Sequence, residues 1–201
     1  MRSLFDSGTD HEDIPDIPGL RYVPEYIDDK QHDRLIEIID NQDWITELRR
    51  RVQHYGYKYG YGKQSTLDYL GKLPRWAAQL ATQLKKDKLV EELPDQLIVN
   101  EYQPGQGIAA HIDREKFFKD TILSLSLGSK CVMDFIHSET REKASLLLVP
   151  KSLLILQGEA RHVWKHGIAP RKTDTYRDER ITRDRRVSLT FRKVIEGNTD
   201  K

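Results

Sequence analysis

From residue 96 onward the sequence is cut into short runs in which apolar residues alternate with others, and this period-two pattern constrains the fold most. Residues 96–102, 122–127, 131–135, 146–149, 152–156 and 187–191 read as strands. Turn signals separate them at residues 104–107, at Gly128-Ser129, at Pro150-Lys151 and at Gly158. The N-terminal half has a different period. Asp28 and Asp29 are N-caps for a helix through Gln42, with Leu35, Ile36, Ile38 and Ile39 on its inner side. Residues 73–84 form a second helix that sets Trp76, Leu80 and Leu84 at four-residue spacing. Residues 19–23 read as a first strand, residues 1–18 as a flexible arm with two Ile-Pro pairs, and 196–201 as a tail. Two helices followed by about eight regularly spaced strands predict one mainly β (α+β) domain over 19–195. The architecture expected is a β-sandwich or jelly roll with N-terminal helices buttressing one face.

Composition removes several classes. No apolar run approaches the ~18 residues of a membrane-spanning helix. The first residues lack the apolar core of a secretion signal, so a cytoplasmic location is expected. The single Cys131 excludes a disulfide framework and a cysteine-based zinc finger. A formal charge of +1, from 33 basic and 32 acidic groups, excludes a uniformly basic coat but not a local basic face. A monomer is expected.

Metal chemistry is suggested by His-x-acid triplets. His11-Glu-Asp13 lies in the arm, where nothing fixes geometry, and His137-Ser-Glu139 lies in a polar hairpin. His111-Ile-Asp113 follows a strand and a glycine-rich turn that aim both side chains one way. Two histidines and a carboxylate on one face of a metal, with open positions opposite, suit a non-haem Fe(II) oxygenase. The third ligand would come from His137, His162 or His166; His162, four residues before His166 on an expected strand, would face the same side by alternation, so spacing does not choose between those two. Arg186 and Arg192, six apart on a strand with Ser188 and Thr190, share a polar face. Such a face can bind a dicarboxylate through two-toothed guanidinium contacts. Residues 54–61 put Tyr55, Tyr57, Tyr59 and Tyr61 on one face of an extended segment behind Arg49, Arg50 and Arg51. Aromatics beside basic groups suit stacking on a flipped base, while a tyrosine-rich, half-buried strand fits equally well. The charged stretch 171–186 reads as an exposed loop or a contact to nucleic-acid backbone.

Five motifs occur in a telling order: Asn100-Glu-Tyr102, Pro104-Gly-Gln-Gly107, His111-Ile-Asp113, Trp164-Lys-His166-Gly-Ile168, and Arg186 with Arg192. In this the chain resembles the AlkB family of Fe(II)/2-oxoglutarate dioxygenases over residues 19–194. It is similar in particular to the AlkB-like domain of tRNA wobble-uridine hydroxylases and their stand-alone bacterial relatives. The resemblance implies a double-stranded β-helix. It selects His166 as third ligand beside His111 and Asp113, and implies Fe(II), 2-oxoglutarate and O2 as the reacting set. By the same resemblance Arg186 meets the distal carboxylate of 2-oxoglutarate with Asn100 and Tyr102, and Arg192 lies near its chelating end. Those tRNA enzymes hold a zinc through a histidine two residues past the iron-binding aspartate and through later cysteines. Here Glu115 stands at that place and no cysteine follows Cys131, so that zinc is not expected. Glu115 is grouped with Arg51, Tyr55, Tyr57 and Tyr59 on the substrate side. The implied substrate is a modified base in RNA, tRNA or single-stranded DNA, hydroxylated or dealkylated. The alternative is a related hydroxylase acting on protein or another non-nucleic-acid substrate.

Overall fold

Alternation makes residues 186–194 a strand with two chemically different faces, and the architecture is built around it. The computed structural model describes residues 14–47, 49–60 and 66–195, so His11, Asp13, Tyr61 and the 196–201 tail lie outside the described residues. In chain order the elements begin with β1 (Leu20–Val23), α1 (Asp29–Asp40), β2 (Val52–Tyr55), β3 (Tyr57–Tyr59), β4 (Leu67–Tyr69) and α2 (Arg75–Lys86). Then come β5 (Gln96–Tyr102), β6 (Ile108–His111), β7 (Phe118–Gly128), β8 (Cys131–His137), β9 (Lys143–Leu148) and β10 (Leu153–Leu156). The chain closes with α3 (Gly158–His162), β11 (Trp164–Ile168), β12 (Thr173–Tyr176), β13 (Glu179–Thr182) and β14 (Arg186–Val194).

A six-stranded antiparallel sheet runs β1-β10-β7-β14-β5-β2, and a four-stranded one runs β6-β11-β8-β9. The odd-numbered residues Val187, Leu189 and Phe191 join Leu97, Val99, Leu123 and Leu125 against Leu35 and Ile39 of α1 and Leu80 and Leu84 of α2. Asp28 starts α1 by accepting a hydrogen bond from the Gln31 amide at 2.7 Å. Residues of the opposite parity, including Tyr102, Ile122, Leu154 and Leu156, look toward Met133, Phe135, Leu146 and Trp164 of the smaller sheet. The result is a double-stranded β-helix whose large sheet is buttressed by the two N-terminal helices. β7 and β14 sit at the middle of that sheet, with β5 paired to the other side of β14.

Three expectations are corrected. The packed chain starts before residue 19: Ile17 is buried, and the Ala160 amide donates to the Pro18 carbonyl at 3.0 Å. The stretch 171–186 is not a loop but the hairpin β12–β13, turning at Arg177 and Asp178 with φ of 49° and 63°. Asp174 pins it to β8, accepting from Arg183 Nε and Nη2 at 2.6 Å each, from Arg171 Nε at 2.6 Å and from the Val132 amide at 3.0 Å. Burial pushes the Asp174 carboxyl up, but these donors hold it below its ordinary value. Finally, His162 ends the short helix α3 rather than lying on a strand, so alternation does not relate it to His166.

Candidate metal centre

Strands β6 and β11 are hydrogen-bonded neighbours, and their register sets His111 directly opposite His166. The two imidazole centroids are 4.6 Å apart. Asp113, two residues beyond His111, brings Oδ1 to 3.6 Å from His111 Nε2. One ligand atom from each of the three lies within 4.8 Å of the others. Gly167 permits this approach: a Cβ there would meet the Ala110 Cα and N at 2.8 Å.

The surroundings prepare the three groups for a cation. His111 Nδ1 donates to the Ala109 carbonyl at 2.8 Å, which leaves Nε2 as the lone-pair nitrogen on the Asp113 side. Burial alone would raise the Asp113 carboxyl. The Arg192 guanidinium outweighs it and holds Asp113 well below the usual carboxylate range. Arg192 donates from Nε and Nη2 to the Asp113 oxygens at 3.0 and 3.3 Å. Burial pushes His166 down to about 4, so its ring is neutral near pH 7, and its Nδ1 is buried with no partner. Two imidazoles and one carboxylate, without a thiolate, fit Fe(II). The buried Arg161 steadies the loop from behind, donating from Nη1 to the Asp113 carbonyl at 2.7 Å.

These groups open into a cavity of about 530 Å³, whose lining takes in the cavity-facing residues of β5 and β14: Asn100, Tyr102, Arg186, Ser188 and Arg192. Arg186 is 2% exposed, lies over the Tyr102 ring at 5.6 Å and donates from Nη2 to Ser126 Oγ at 2.9 Å. Its Nε is buried without a partner, and no carboxylate pairs with it among the described residues. A buried, unneutralised guanidinium is costly unless an anion joins it. The four residues expected around a dicarboxylate thus share one cavity with the His-Asp-His group. Arg192 differs from expectation in that it grips Asp113.

The substrate-side candidates do not stay together. Gly56, at φ 76°, breaks the extended run. Tyr55 therefore turns to the helix side, donating to Gln53 Oε1 at 3.0 Å and meeting the Trp76 ring edge-on at 5.4 Å. Tyr57 packs instead with Tyr69, at 5.0 Å between centroids. Of Tyr59 only the backbone is described; it pairs with Leu67. Arg51 is taken by the buried Glu101 and lies over the Trp44 ring at 4.5 Å, on the side away from the cavity. Glu115 is exposed and holds His162, whose other nitrogen meets Asp120 at 2.8 Å. Besides Arg186 and Arg192, the arginines that line the cavity are the two preceding ones, Arg49 and Arg50, together with Arg114. His54, register partner of Ile98 in β5, is pushed down to about 4 by burial and by Lys58, Arg192 and Arg50. Sequence reasoning names Arg49 and Arg50 only within a run from which it selects Arg51, and it misses Arg161: one residue in a run of three arginines, or a lone arginine on a five-residue helix, carries no periodic signal.

Comparison with known proteins agrees with this geometry. The family model of the 2OG-Fe(II) oxygenase superfamily matches residues 19–192. The tRNA (carboxymethyluridine(34)-5-O)-methyltransferase ALKBH8 of Mus musculus is 39% identical over 204 residues, covering 88% of this chain. The chain spans only 30% of that protein's length. The mitochondrial alpha-ketoglutarate-dependent dioxygenase alkB homolog 7 of Bos taurus is 33% identical over 159 residues, 75% of this chain and 70% of its own. The solved structure of OsALKBH1 shares the fold at a TM-score of 0.61 and 18% identity, covering 88% of this chain and 99% of that one. The chain belongs to the 2OG-Fe(II) oxygenase superfamily and, within it, to the AlkB family of Fe(II)- and 2-oxoglutarate-dependent dioxygenases.

Proposed function

We propose that His111, Asp113 and His166 hold the Fe(II), that Arg186, Tyr102 and Asn100 receive 2-oxoglutarate, and that the oxidised substrate is a modified base in RNA or tRNA. The observation that carries the reading is Arg186, a buried cation lacking a carboxylate in the same cavity as the His-Asp-His group. When bound, the iron supplies the oxidation: 2-oxoglutarate is decarboxylated to succinate, and one oxygen atom of O2 enters a substrate C–H bond. The protein's own work is positional. Arg192 and Arg161 fix Asp113 through its carboxylate and its carbonyl, and His111 is oriented by Ala109. Ile98, Ile122, Leu154 and Leu156 line the cavity and keep it apolar between the polar groups. Hydroxylation of an N-methyl carbon ends in release of formaldehyde, whereas a hydroxylated methylene persists.

Nucleic acid is favoured by the rim. Arg49 and Arg114 are exposed beside the mouth, and Arg50 lies between them and the floor. Among the described residues that line the cavity, Asp113 is the only carboxylate, which suits a neutral or anionic base substituent better than a cationic alkylated base. The mouse relative's name adds a modified tRNA uridine to the argument. The test is to incubate Fe(II)-loaded protein with bulk tRNA, 2-oxoglutarate and O2, and to analyse the nucleosides by mass spectrometry. Conversion of one modified nucleoside to a hydroxylated or demethylated product, with matching succinate, is expected. Absence of any salt-dependent affinity for RNA or single-stranded DNA would remove nucleic acid as the substrate.

A further inference from the structure

Outside the metal ligands, one contact joins the rim to the floor of the cavity. Arg50 Nε donates to Oδ1 of Asn100 at 2.9 Å across 50 residues of sequence. Asn100 is 6% exposed and central to the sheet, register partner of Val52 on one side and Ser188 on the other. Its carboxamide has an accepting end and a donating end that differ little in shape, so a neighbour must decide which one faces the cavity. A guanidinium has five donors and no acceptor. The end that meets Arg50 can only be the carbonyl, and the Nδ2 hydrogens are left for whatever occupies the cavity that Asn100 lines.

We propose that Arg50 is a positioning residue for the cosubstrate: it locks the Asn100 amide so that a donor is presented to a carboxylate of 2-oxoglutarate. The inference rests on the reading that places 2-oxoglutarate beside Asn100. Because Arg50 lies next to Arg49 on the rim, a strand seated at the mouth and the dicarboxylate inside are read by adjacent residues.

The test measures 2-oxoglutarate binding to the Mn(II)-loaded protein by calorimetry, without turnover, for wild type, Arg50→Lys, Arg50→Gln and Arg50→Met. The same series is made in an Asn100→Ala background, with folding checked by urea denaturation. Lysine donates only and should keep affinity within about twofold of wild type. Glutamine can meet either end of the amide and should bind less tightly, and methionine should lose about tenfold, the lower bound for a hydrogen bond to a charged group. In Asn100→Ala the glutamine and methionine variants should converge, because any effect left there is the lost charge of Arg50 alone, which lysine keeps. Equal losses on Arg50→Met in both backgrounds, or a glutamine variant as tight as the lysine one, would overturn the proposal. If Asn100→Ala itself leaves wild-type affinity untouched, the placement of 2-oxoglutarate fails and this inference falls with it.

Discussion

Replacing Gly167 by alanine tests whether strand spacing sets the metal centre. The new Cβ would lie 2.8 Å from Ala110 Cα and N and 3.0 Å from the Ile108 carbonyl oxygen, all backbone atoms of β6. Carbon contacts settle near 3.5–4.0 Å, so β6 must retreat by at least about 0.7 Å. His111 ends that strand and His166 precedes the substituted residue, so the retreat opens the pair that the register brings together. Functional constellations tolerate about 0.5 Å. Overpacking should cost about 1–3 kcal/mol of stability, and metal affinity should fall roughly tenfold to a hundredfold, as when groups orienting a ligand are removed. Titration with Co(II), followed by its visible absorption under anaerobic conditions, reads the affinity; urea denaturation reads the stability. A folded Gly167→Ala protein that binds Co(II) as tightly as wild type would refute the argument that β6–β11 spacing holds the ligands.

Asp174→Ala strands the buried Arg183 and should destabilise by about 3–5 kcal/mol in urea denaturation, while the pair Asp174→Ala/Arg183→Met should cost clearly less. His54 has a folded value near 4, below its unfolded value, so its contribution is complete above about pH 6.5 and is lost as pH falls toward 4. Allowing for partial exposure, the wild type should lose about 2 kcal/mol more than His54→Phe between pH 7 and 4.5 in paired denaturation curves. His111→Ala, Asp113→Ala and His166→Ala should each abolish succinate formation; His162→Ala, which loses only exposed ion pairs to Glu115 and Asp120, should retain it. Arg186→Lys should raise the KM for 2-oxoglutarate strongly, since a point ammonium cannot replace the planar fork beside Ser126; an unchanged KM would place the dicarboxylate elsewhere.

Long, strictly patterned elements were readable from sequence. The helix at Asp28 and the strand around Val187–Phe191 carry period and caps together, and the outcome follows the expectation closely. What escaped is short or depends on distant partners. Strands β2, β3, β4, β6, β12 and β13 have three or four residues each, too few for alternation to register. The tyrosine face parts at a single residue: Gly56 takes a left-handed conformation, and Tyr55 and Tyr57 on either side of it take different neighbours, Trp76 and Tyr69. Arg51 looked like a phosphate contact because its partner, Glu101, lies 50 residues away on β5. His166 could be preferred to His162 only through the family motif, since nothing local announces that a helix ends at His162 and a strand begins at Trp164.

The double-faced character of β14 also limits how a gene for such a chain can drift. Insertion or deletion of one codon within residues 186–192 would exchange Val187, Leu189 and Phe191 with Arg186, Ser188, Thr190 and Arg192. Guanidinium groups would then press on the helices, and leucine and phenylalanine would fill the reaction cavity. Folding and catalysis would fail in one step, with no intermediate that keeps either. Length changes that keep both are expected in turns such as Arg177-Asp178, and substitutions in β14 that stay within each parity class, which an alignment of relatives would check.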